Sequence, residues 1–454
     1  MPRWLAPLLG AAASWGLAAG WRLRSLDQTS VGSDSIGQFL PGLAPLALHA
    51  PPNPEAGYAL WVTAAPLVWL SDSLTMLLTL RFMTGALIAP LGFLTAWRLA
   101  KTNRLLTASI AGGLLAMDSG LVDTLVSSFR GYGAPELVAG ATLGLLAGRR
   151  IGLLLGAALL VAAAGHHPFA TGAALGAALV LPWRDRRTVT LTVGVGLLVA
   201  LPRLVWIADM ADCGDTLAAC LAPVALGSSE PLGRVALLAR AVADRAGELS
   251  VALPVMVIGL VRCQDRRALL LALGALAGII ALALSVHSLR PYHLRIAAAP
   301  LAVAAALGLA RWSRLGLVGG LIGVGALAAH PAPQGTPGAL ARHDAVASDL
   351  ATLPSPVWVE GAWYDGEVAL DPAAAVLSAI LQGQPAARFG PNGTIVLLVS
   401  QEDGAVVYTF TDAAQARSWL ANHPTPEVLG GAADWAMVLR SDAAASWWTE
   451  ESGR

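Results

Sequence analysis

Long apolar segments recur along the first 330 residues, and short turns that carry arginine separate many of them. A helix needs roughly 20 apolar residues to cross a hydrocarbon core of about 30 Å. Only 13% of the residues are charged, well below the share of about 25% that is usual in a soluble domain. These features predict a mainly α-helical, polytopic membrane protein.

The apolar pattern predicts about eleven transmembrane helices in residues 1–330. The chain also holds 48 glycines, and small residues allow helices in a bundle to approach closely. The predicted spans lie near residues 4–21, 74–97, 105–118, 134–148, 151–165, 168–182, 188–207, 250–261, 268–286, 296–310 and 315–330.

Basic turns predict the orientation, because arginine and lysine near a span remain on the cytoplasmic side. Five clusters fall on one side when the spans are counted as hairpins, which places the N-terminus in the cytoplasm and loop 22–73 outside. The first span also fits a signal peptide loosely. The clusters are Arg98 with Lys101 and Arg104, Arg149 with Arg150, Arg184 with Arg186 and Arg187, Arg262 with Arg266 and Arg267, and Arg311 with Arg314.

The composition changes at "HPAPQGTPG", a linker rich in proline and glycine. Residues 331–454 are therefore predicted to form a small extracytoplasmic α/β or α+β domain, with strands in "PVWVEGAWY", "GTIVLLVSQ", "AVVYTFTD" and "DWAMVLRS". The strong preference for arginine over lysine suggests a GC-rich bacterial genome. We therefore expect a multi-pass protein of the inner membrane with this domain in the periplasm.

Three cysteines occur in the chain. Cys213 and Cys220 lie in a predicted external loop, where an oxidising compartment favours a disulfide, although two free thiols on one helix fit the same spacing. Cys263 lies alone in a predicted cytoplasmic turn. The sequence contains no pattern typical of a metal site.

Asp34 lies at the start of the long external loop 22–73, before two apolar stretches too short to span a membrane. Aromatic residues in such stretches lie at headgroup depth. A carboxylate at that place can accept a proton from a hydroxyl or an amine, which is the role of a general base. The alternative is that Asp34 caps the helix that begins at Ser35.

Four further candidates occur in "SLRPYHLR" before the span near 296–310: Arg290, Tyr292, His293 and Arg295. Two arginines here oppose the trend of the basic turns. Guanidinium groups bind phosphate oxygens in pairs, so these arginines predict a phosphate site at the outer membrane surface. The alternative is that they extend toward anionic lipid headgroups.

Other polar residues lie on the same predicted side. "AMDSGLVDTLVSSFRGYGAPE" carries Asp118, Asp123, Arg130 and Tyr132. The adjacent pair His166 and His167 cannot share a helix face, so we expect one ring inside the bundle and the other in water, with a structural role favoured over a functional one. Arg81 lies in an apolar segment and is expected to face protein or a water-filled cavity.

The run from "SDSIGQFLPGLAPLALHAPPNPEAGYALWV" to "FLTAWRLA" resembles the opening of GT-C membrane glycosyltransferases, of the protein O-mannosyltransferase and lipid A aminoarabinose transferase type. In that group an acidic residue opens the first external loop, a proline-rich patch follows, and an arginine lies early in the second span. Asp34, residues 51–54 and Arg81 occupy those places. "LRPYHLRIAAAPLAVAAALGLA" is similar to the last characteristic loop of the group.

The resemblance implies transfer of a sugar from a polyprenyl-phosphate donor to a glycan, lipid or protein acceptor at the outer face, with inversion. Asp34 would be the catalytic base, and Arg290, Arg295 and His293 would bind the leaving phosphate. The remaining implied substrate-binding residues are Tyr292, Arg130, Tyr132, His167 and Arg81. The implied partners are these substrates and membrane lipid, without nucleic acid, metal or other cofactor.

Two other classes fit the same features. A transporter or flippase of lipid or polysaccharide also has many spans and charged residues within the membrane, although such proteins often carry internal repeats, and the two halves of this chain show none. An inactive scaffold related to the GT-C enzymes is the other alternative, because Asp34 is followed by Ser35 where that group often has a second acid.

Overall fold

The computed structural model of the chain describes most of residues 4–329 and short segments of the remainder. The described ranges are 4–28, 66–126, 133–210, 231–285, 291–312, 314–329, 340–341, 344, 357–358, 363–365, 368–370, 381–382, 386–387, 395–401, 405–408, 427–430 and 436–439.

Helices dominate the described part of the chain, so the prediction of a mainly α-helical fold is confirmed. The α-helices are α1 (Leu5–Leu23), α2 (Leu74–Gly85), α3 (Ile88–Leu99), α4 (Arg104–Ala116), α5 (Ser119–Val126), α6 (Ala134–Ala147), α7 (Arg150–His166), α8 (Ala173–Val180), α9 (Arg186–Met210), α10 (Pro231–Leu249), α11 (Ala252–Arg262), α12 (Arg266–Ser285), α13 (Pro291–Arg295), α14 (Ala298–Arg311) and α15 (Arg314–Ala329).

Each segment predicted as a span is helical in the structure. The span near 74–97 consists of α2 and α3, with a short break at residues 86–87, and the span near 168–182 begins with the 3-10 helix Pro168–Gly172 and continues as α8. Three helices were not predicted as separate elements, namely α5, α10 and α13. The apolar pattern therefore located the long helices but not the shorter or more polar ones that connect them.

Length and hydropathy together single out one described unit that could cross a membrane, the 26 residues Leu74–Leu99. The shorter apolar helices, of 10–17 residues, include α4, α6, α7, α11, α14 and α15.

Helix α14 lies at the centre of the bundle and contacts α3, α4, α6, α11, α12 and α15. Its side chains are small, and residues 302–306 (Ala-Val-Ala-Ala-Ala) are almost completely buried. Small side chains on every face allow several neighbours to pack against one helix at short distances. The alanine-rich sequence of this helix thus explains its central position.

Glycines bring several helix pairs into backbone contact. A Cβ atom at Gly308 of α14 would meet the carbonyl oxygen of Gly259 in α11 and would lie 2.8 Å from the backbone nitrogen of Cys263. Gly172 and Gly278, and likewise Gly176 and Gly274, bring the segment around α8 against α12 in the same way. Backbone atoms cannot move aside independently, so these positions require glycine.

The basic turns lie together at one end of the bundle, an arrangement that agrees with the predicted orientation. The guanidinium group of Arg98 donates to the carbonyl of Ala147 at 3.2 Å, and that of Arg267 donates to Leu145 at 2.9 Å. Arg150 pairs with Asp185 at 3.6 Å. The Arg262 guanidinium lies 5.8 Å from the ring centroid of Trp312. We call this region the basic end.

The described strands all lie beyond residue 356, and each of the four segments predicted as strands contains at least one of them. Strands β5–β8 form one antiparallel sheet in the order β6-β5-β8-β7, β1 pairs with β4 in parallel, and β2 with β3 antiparallel. The strands are β1 (Val357–Trp358), β2 (Trp363–Asp365), β3 (Val368–Leu370), β4 (Ala386–Ala387), β5 (Ile395–Gln401), β6 (Ala405–Tyr408), β7 (Glu427–Gly430) and β8 (Ala436–Leu439).

We expect Gly308→Ala to destabilise the protein by about 1–3 kcal/mol, because the added methyl group overlaps backbone atoms of α11. Gly319→Ala in α15 is the matched control, since nothing lies within 4 Å of a Cβ atom there. The control should stabilise the helix by about 0.5–1 kcal/mol, the usual gain from glycine to alanine. Thermal unfolding of the two purified variants measures the difference, and equal effects would contradict the close contact of α11 and α14.

Candidate functional site

Polar and charged side chains gather at the end of the bundle opposite the basic end. Helix α4 begins in a basic turn and leads to Asp118, while α7 begins at Arg150 and ends at His166. Helices α11 and α14 also begin at this opposite end and run toward the basic turns. The segments before and after these helices therefore supply the side chains of the candidate site.

Asp118 follows α4 and caps the short helix α5. Its Oδ1 atom accepts hydrogen bonds from the backbone nitrogens of Gly120 at 3.1 Å and Leu121 at 3.4 Å. An aspartate at this position satisfies amide groups that have no partner within the helix. The side chain is nevertheless buried, at 3% exposure, so its charge requires a further partner.

Arg245 of α10 provides that partner and also binds a second acid on its own helix. Its Nη1 atom donates to Oδ1 of Asp118 at 2.8 Å and to Oε2 of Glu248 at 2.6 Å, and its Nη2 atom donates to Oδ2 of Asp118. Arg245 and Glu248 are three residues apart and so lie on one face of the helix. The guanidinium group thus connects α10 to the start of α5.

Arg295 completes this group from the end of α13. Its Nε atom donates to Oε2 of Glu248 at 3.2 Å, and its Nη2 atom donates to Oε1 of the same carboxylate. Arg295 is only 4% exposed, so the alternative that it extends toward lipid headgroups is wrong. We call Asp118, Arg245, Glu248 and Arg295 the ion-pair network.

Gly120 leaves the space that the ion-pair network occupies. A Cβ atom there would lie 2.5 Å from Nη1 of Arg245 and 2.7 Å from Nε of Arg295, and it would also overlap the Glu248 carboxylate. Because these side-chain ends are held by several hydrogen bonds, they cannot move away without loss of the pairs. The network therefore fits only because residue 120 has no side chain.

The surroundings of Asp118 and Arg245 favour the charged form of both side chains. Burial alone would raise the pKa of Asp118, but the charge and hydrogen bonds of Arg245 outweigh it and lower the pKa below its ordinary value of 3.8. Burial alone would lower the pKa of Arg245, and Asp118 and Glu248 raise it instead. Two cations and two anions thus neutralise one another within the protein.

Four rings pack beside one another at the same end and form what we call the ring cluster. The centroid of the His293 ring lies 3.8 Å from that of Phe169 in a stacked arrangement, 4.2 Å from Tyr292 and 4.8 Å from His167. His167 and Tyr292 meet edge to face at 5.8 Å. Helix α13 supplies residues to both the ring cluster and the ion-pair network, so the cluster and the network are adjacent.

The expectation that one of the adjacent histidines points to water is wrong, since His166 and His167 are 3% and 8% exposed. Helix α7 ends at His166, and the chain turns at His167, whose Nδ1 atom accepts from the nitrogen of Phe169 at 3.3 Å. This turn directs both rings toward protein. The two histidines can therefore contact different neighbours without either being exposed.

Arg81 belongs to the same end. Its Nη1 atom donates to Oγ1 of Thr84 at 3.2 Å. A Cβ atom at Gly133 would lie 3.5 Å from Nη2 of Arg81 and 2.8 Å from Nδ1 of His166, so Gly133 leaves room for both groups. This agrees with the expectation that the Arg81 guanidinium faces protein rather than lipid.

The structure thus brings together three predicted residues, Tyr292, His293 and His167, with Arg295 in the adjacent network. Arg81 lies at the same end, and the remaining predicted site residues lie outside the described part of the chain, so their roles and the disulfide stay predictions. These residues are Asp34, Arg130, Tyr132, Arg290, Cys213 and Cys220. The third cysteine, Cys263, is buried and free.

The sequence does not single out two residues of the network, Arg245 and Glu248, because the segment that forms α10 lies in a predicted loop. Helix α10 begins with Pro231 and alternates apolar and charged residues at helical spacing, too polar for a span but typical of an amphipathic helix. That periodicity is the signal that could have found it. Asp118 was named as a candidate, but its partner on a distant helix has no local signal.

The chemistry available here is that of cations, imidazole rings, a phenol and carboxylates. Guanidinium and phenol groups bind phosphate oxygens, and imidazole and carboxylate groups transfer protons. Among the described residues, no group of three or more histidine, cysteine, aspartate or glutamate side chains is placed to hold a metal ion.

Comparison of the chain with family models, curated proteins and solved structures gives no match.

Replacing Arg245 by methionine should destabilise the protein by about 3–5 kcal/mol, because the buried Asp118 would lose the guanidinium group that pairs with it, while Glu248 would keep Arg295. Arg240→Met on the same helix is the control, since Arg240 is exposed, and surface substitutions usually change stability by no more than about 0.5 kcal/mol. Unfolding midpoints in denaturant compare the two. Similar midpoints would show that the network does not stabilise the fold.

The lowered pKa of Asp118 predicts a loss of stability in acid. A group whose pKa is lower in the folded protein stabilises it fully above the ordinary value of 3.8, and this contribution disappears as the pH falls through the folded-state value. We expect Asp118→Asn to be less stable at pH 7 and to lack this part of the pH dependence. Thermal midpoints from pH 7 to pH 2 test this, with Asp72→Asn, an exposed acid, as control. A parallel pH dependence of the three proteins would contradict it.

Proposed function

We propose that this chain is an integral membrane glycosyltransferase of the GT-C type, which transfers a sugar from a polyprenyl-phosphate donor to an acceptor. The observation that carries the proposal is the position of the ring cluster and Arg295 at the end of the bundle opposite the basic turns. In a membrane, basic turns remain in the cytoplasm. The candidate site then faces the extracytoplasmic side, where lipid-linked sugars are used by this class of enzyme.

A membrane location is supported by the apolar surface of the helices. Leu198 of α9 is 67% exposed, Ile151 of α7 73% and Leu315 of α15 74%. Many other large apolar side chains on α1, α8, α11 and α15 are also exposed. Such extended apolar surfaces are uncommon on soluble proteins and suit contact with lipid. We therefore propose a polytopic protein of the inner membrane with a cytoplasmic N-terminus and residues 331–454 in the periplasm.

In the proposed reaction the acceptor hydroxyl or amine attacks the anomeric carbon from the face opposite the phosphate. A new bond to the acceptor forms, the carbon–oxygen bond to the phosphate breaks, and the configuration inverts. Asp34 takes the proton of the acceptor as general base. The departing polyprenyl phosphate carries the negative charge that the site must stabilise.

The phosphate side of the proposed site is assigned to Arg290, Tyr292 and His293, because Arg295 already binds Glu248 through Nε and Nη2. Arg295 then acts chiefly by holding α13 in place, a positioning role that differs from the direct phosphate contact expected from the sequence. The remaining predicted residues Arg81, Arg130, Tyr132 and His167 are proposed to line the cavity.

The proposal predicts that purified protein in lipid releases polyprenyl phosphate from one member of a panel of polyprenyl-phosphate hexoses and pentoses, with host membranes added as a source of acceptor. Asp34→Asn should lower the rate by at least about 100-fold, as expected when a general base is removed. Asp27→Asn is the matched control, because Asp27 is a nearby exposed acid, and it should leave the rate unchanged.

The outcomes separate the alternatives. Equal rates of polyprenyl phosphate release by the Asp34 variant and the wild type would contradict the role of Asp34 as general base. The proposal of a transferase would stand. Release by neither protein from any donor would contradict the transferase and favour a scaffold. Movement of the intact lipid across vesicles, without release of polyprenyl phosphate, would identify a flippase instead.

A further inference from the structure

A cleft of about 250 Å³ opens at the basic end, where three separate parts of the chain meet. The turn after α3, the turn before α12 and the end of α14 form its walls, and Leu307 and Ala100 are among its apolar lining. The clustering of basic residues near membrane spans requires only that they share a side. It does not require them to enclose a common concave space.

Four cationic side chains and one carboxylate line this cleft. The cations are Lys101, Arg266, Arg267 and Arg311, and the carboxylate is Asp265. Asp265 is already used within the fold, since its Oδ1 atom accepts from the backbone nitrogen of Ala268 at 3.0 Å at the start of α12. The cleft therefore has an excess of three positive charges, and an anion is the ligand that such a place attracts.

The walls of the cleft are held by contacts outside it. The Nη2 atom of Arg267 donates to the carbonyl oxygen of Leu145 at 2.9 Å, which attaches this wall to the end of α6. The Cys263 Sγ atom lies 3.7 Å from the carbonyl oxygen of Asp265 in the same turn. Arg267, held in this way, loses less conformational freedom when a ligand binds than a free surface arginine does.

We propose that this basic cleft binds the phosphate group of an anionic ligand, and that the ligand is an anionic phospholipid in the leaflet at the basic end. The volume is below the roughly 300–1,000 Å³ of pockets that enclose a drug-sized molecule, so the cleft suits a headgroup. Large apolar side chains next to these turns are exposed, with Val261 at 78% and Leu315 at 74%. Acyl chains can lie on that surface while the phosphate enters the cleft.

A soluble phosphate ester carries the same phosphate group and is the alternative ligand of the cleft. The lipid source depends on the membrane location proposed above, but binding requires no sugar transfer. Failure of the transferase assay would therefore leave this inference untouched, and failure of the binding assay would leave the transferase untouched.

The test uses the full-length protein in neutral detergent and measures the dissociation constants of phosphatidylglycerol, phosphatidylcholine and inorganic phosphate. The double variant Arg266→Gln with Arg311→Gln removes two cations from the cleft. The control is Arg184→Gln with Arg186→Gln, which removes two exposed cations from another turn at the same end. Thermal unfolding of both variants verifies that the fold is intact.

We expect the cleft variant to bind phosphatidylglycerol at least about tenfold more weakly, since the loss of even one of two charged hydrogen bonds accounts for about that factor. The control variant should bind as the wild type does, and phosphatidylcholine should bind weakly to all three proteins. Binding of inorganic phosphate with the same dependence on the cleft variant, and no preference for the lipid, would support the phosphate site but assign it to a soluble ligand. Equal losses in both variants, or no binding of either anion, would overturn the proposal.

Discussion

Arg245 can be buried only because two carboxylates neutralise and orient it, and this requirement connects parts of the chain that are far apart in sequence. Asp118 follows α4, Glu248 lies on α10 itself, and Arg295 closes α13. An isolated charge in such a place would cost several kcal/mol. The ion-pair network therefore makes the position of α10 and that of α13 depend on each other. Since α13 also supplies two rings of the ring cluster, the geometry of the candidate site depends on the same contacts.

The rest of the bundle is held by a different kind of contact. Between α11 and α14, and between α8 and α12, glycines allow backbones to touch, so dispersion forces act over many atoms at short distance. Such contacts leave no room for an added methyl group, but they do not depend on charged side chains. The bundle thus combines apolar, sterically exact packing along its length with charged pairing at one end. The ion-pair network and the ring cluster lie at that end and bring together guanidinium, imidazole, phenol and carboxylate groups, which can bind phosphate or transfer protons.

The sequence predicted the long helices well because hydrophobic length is a local property, and all of the predicted spans are helical. It also predicted that the basic turns lie at one end of the bundle, since alternation of the helices determines it. It did not predict α10, because an amphipathic helix in a predicted loop gives no long apolar run. The pairing of Asp118 with Arg245 could not be predicted, since it spans 127 positions and depends on tertiary packing. The burial of both His166 and His167 was missed because it depends on the turn between two helices.

The two ends of the bundle differ in a way that bears on where an anion binds. In the ion-pair network, the positive charges of Arg245 and Arg295 are matched by Asp118 and Glu248, so this group as a whole has little attraction for a phosphate. In the cleft at the basic end, by contrast, a single carboxylate lies among four cations. In the proposed reaction, the phosphate is therefore held by Arg290, Tyr292 and His293, with Arg295 supporting α13, which carries Tyr292 and His293. A single guanidinium group with a phenol and an imidazole holds a phosphate less tightly than paired guanidinium groups do, which in the proposed reaction suits a leaving group that must depart after each transfer.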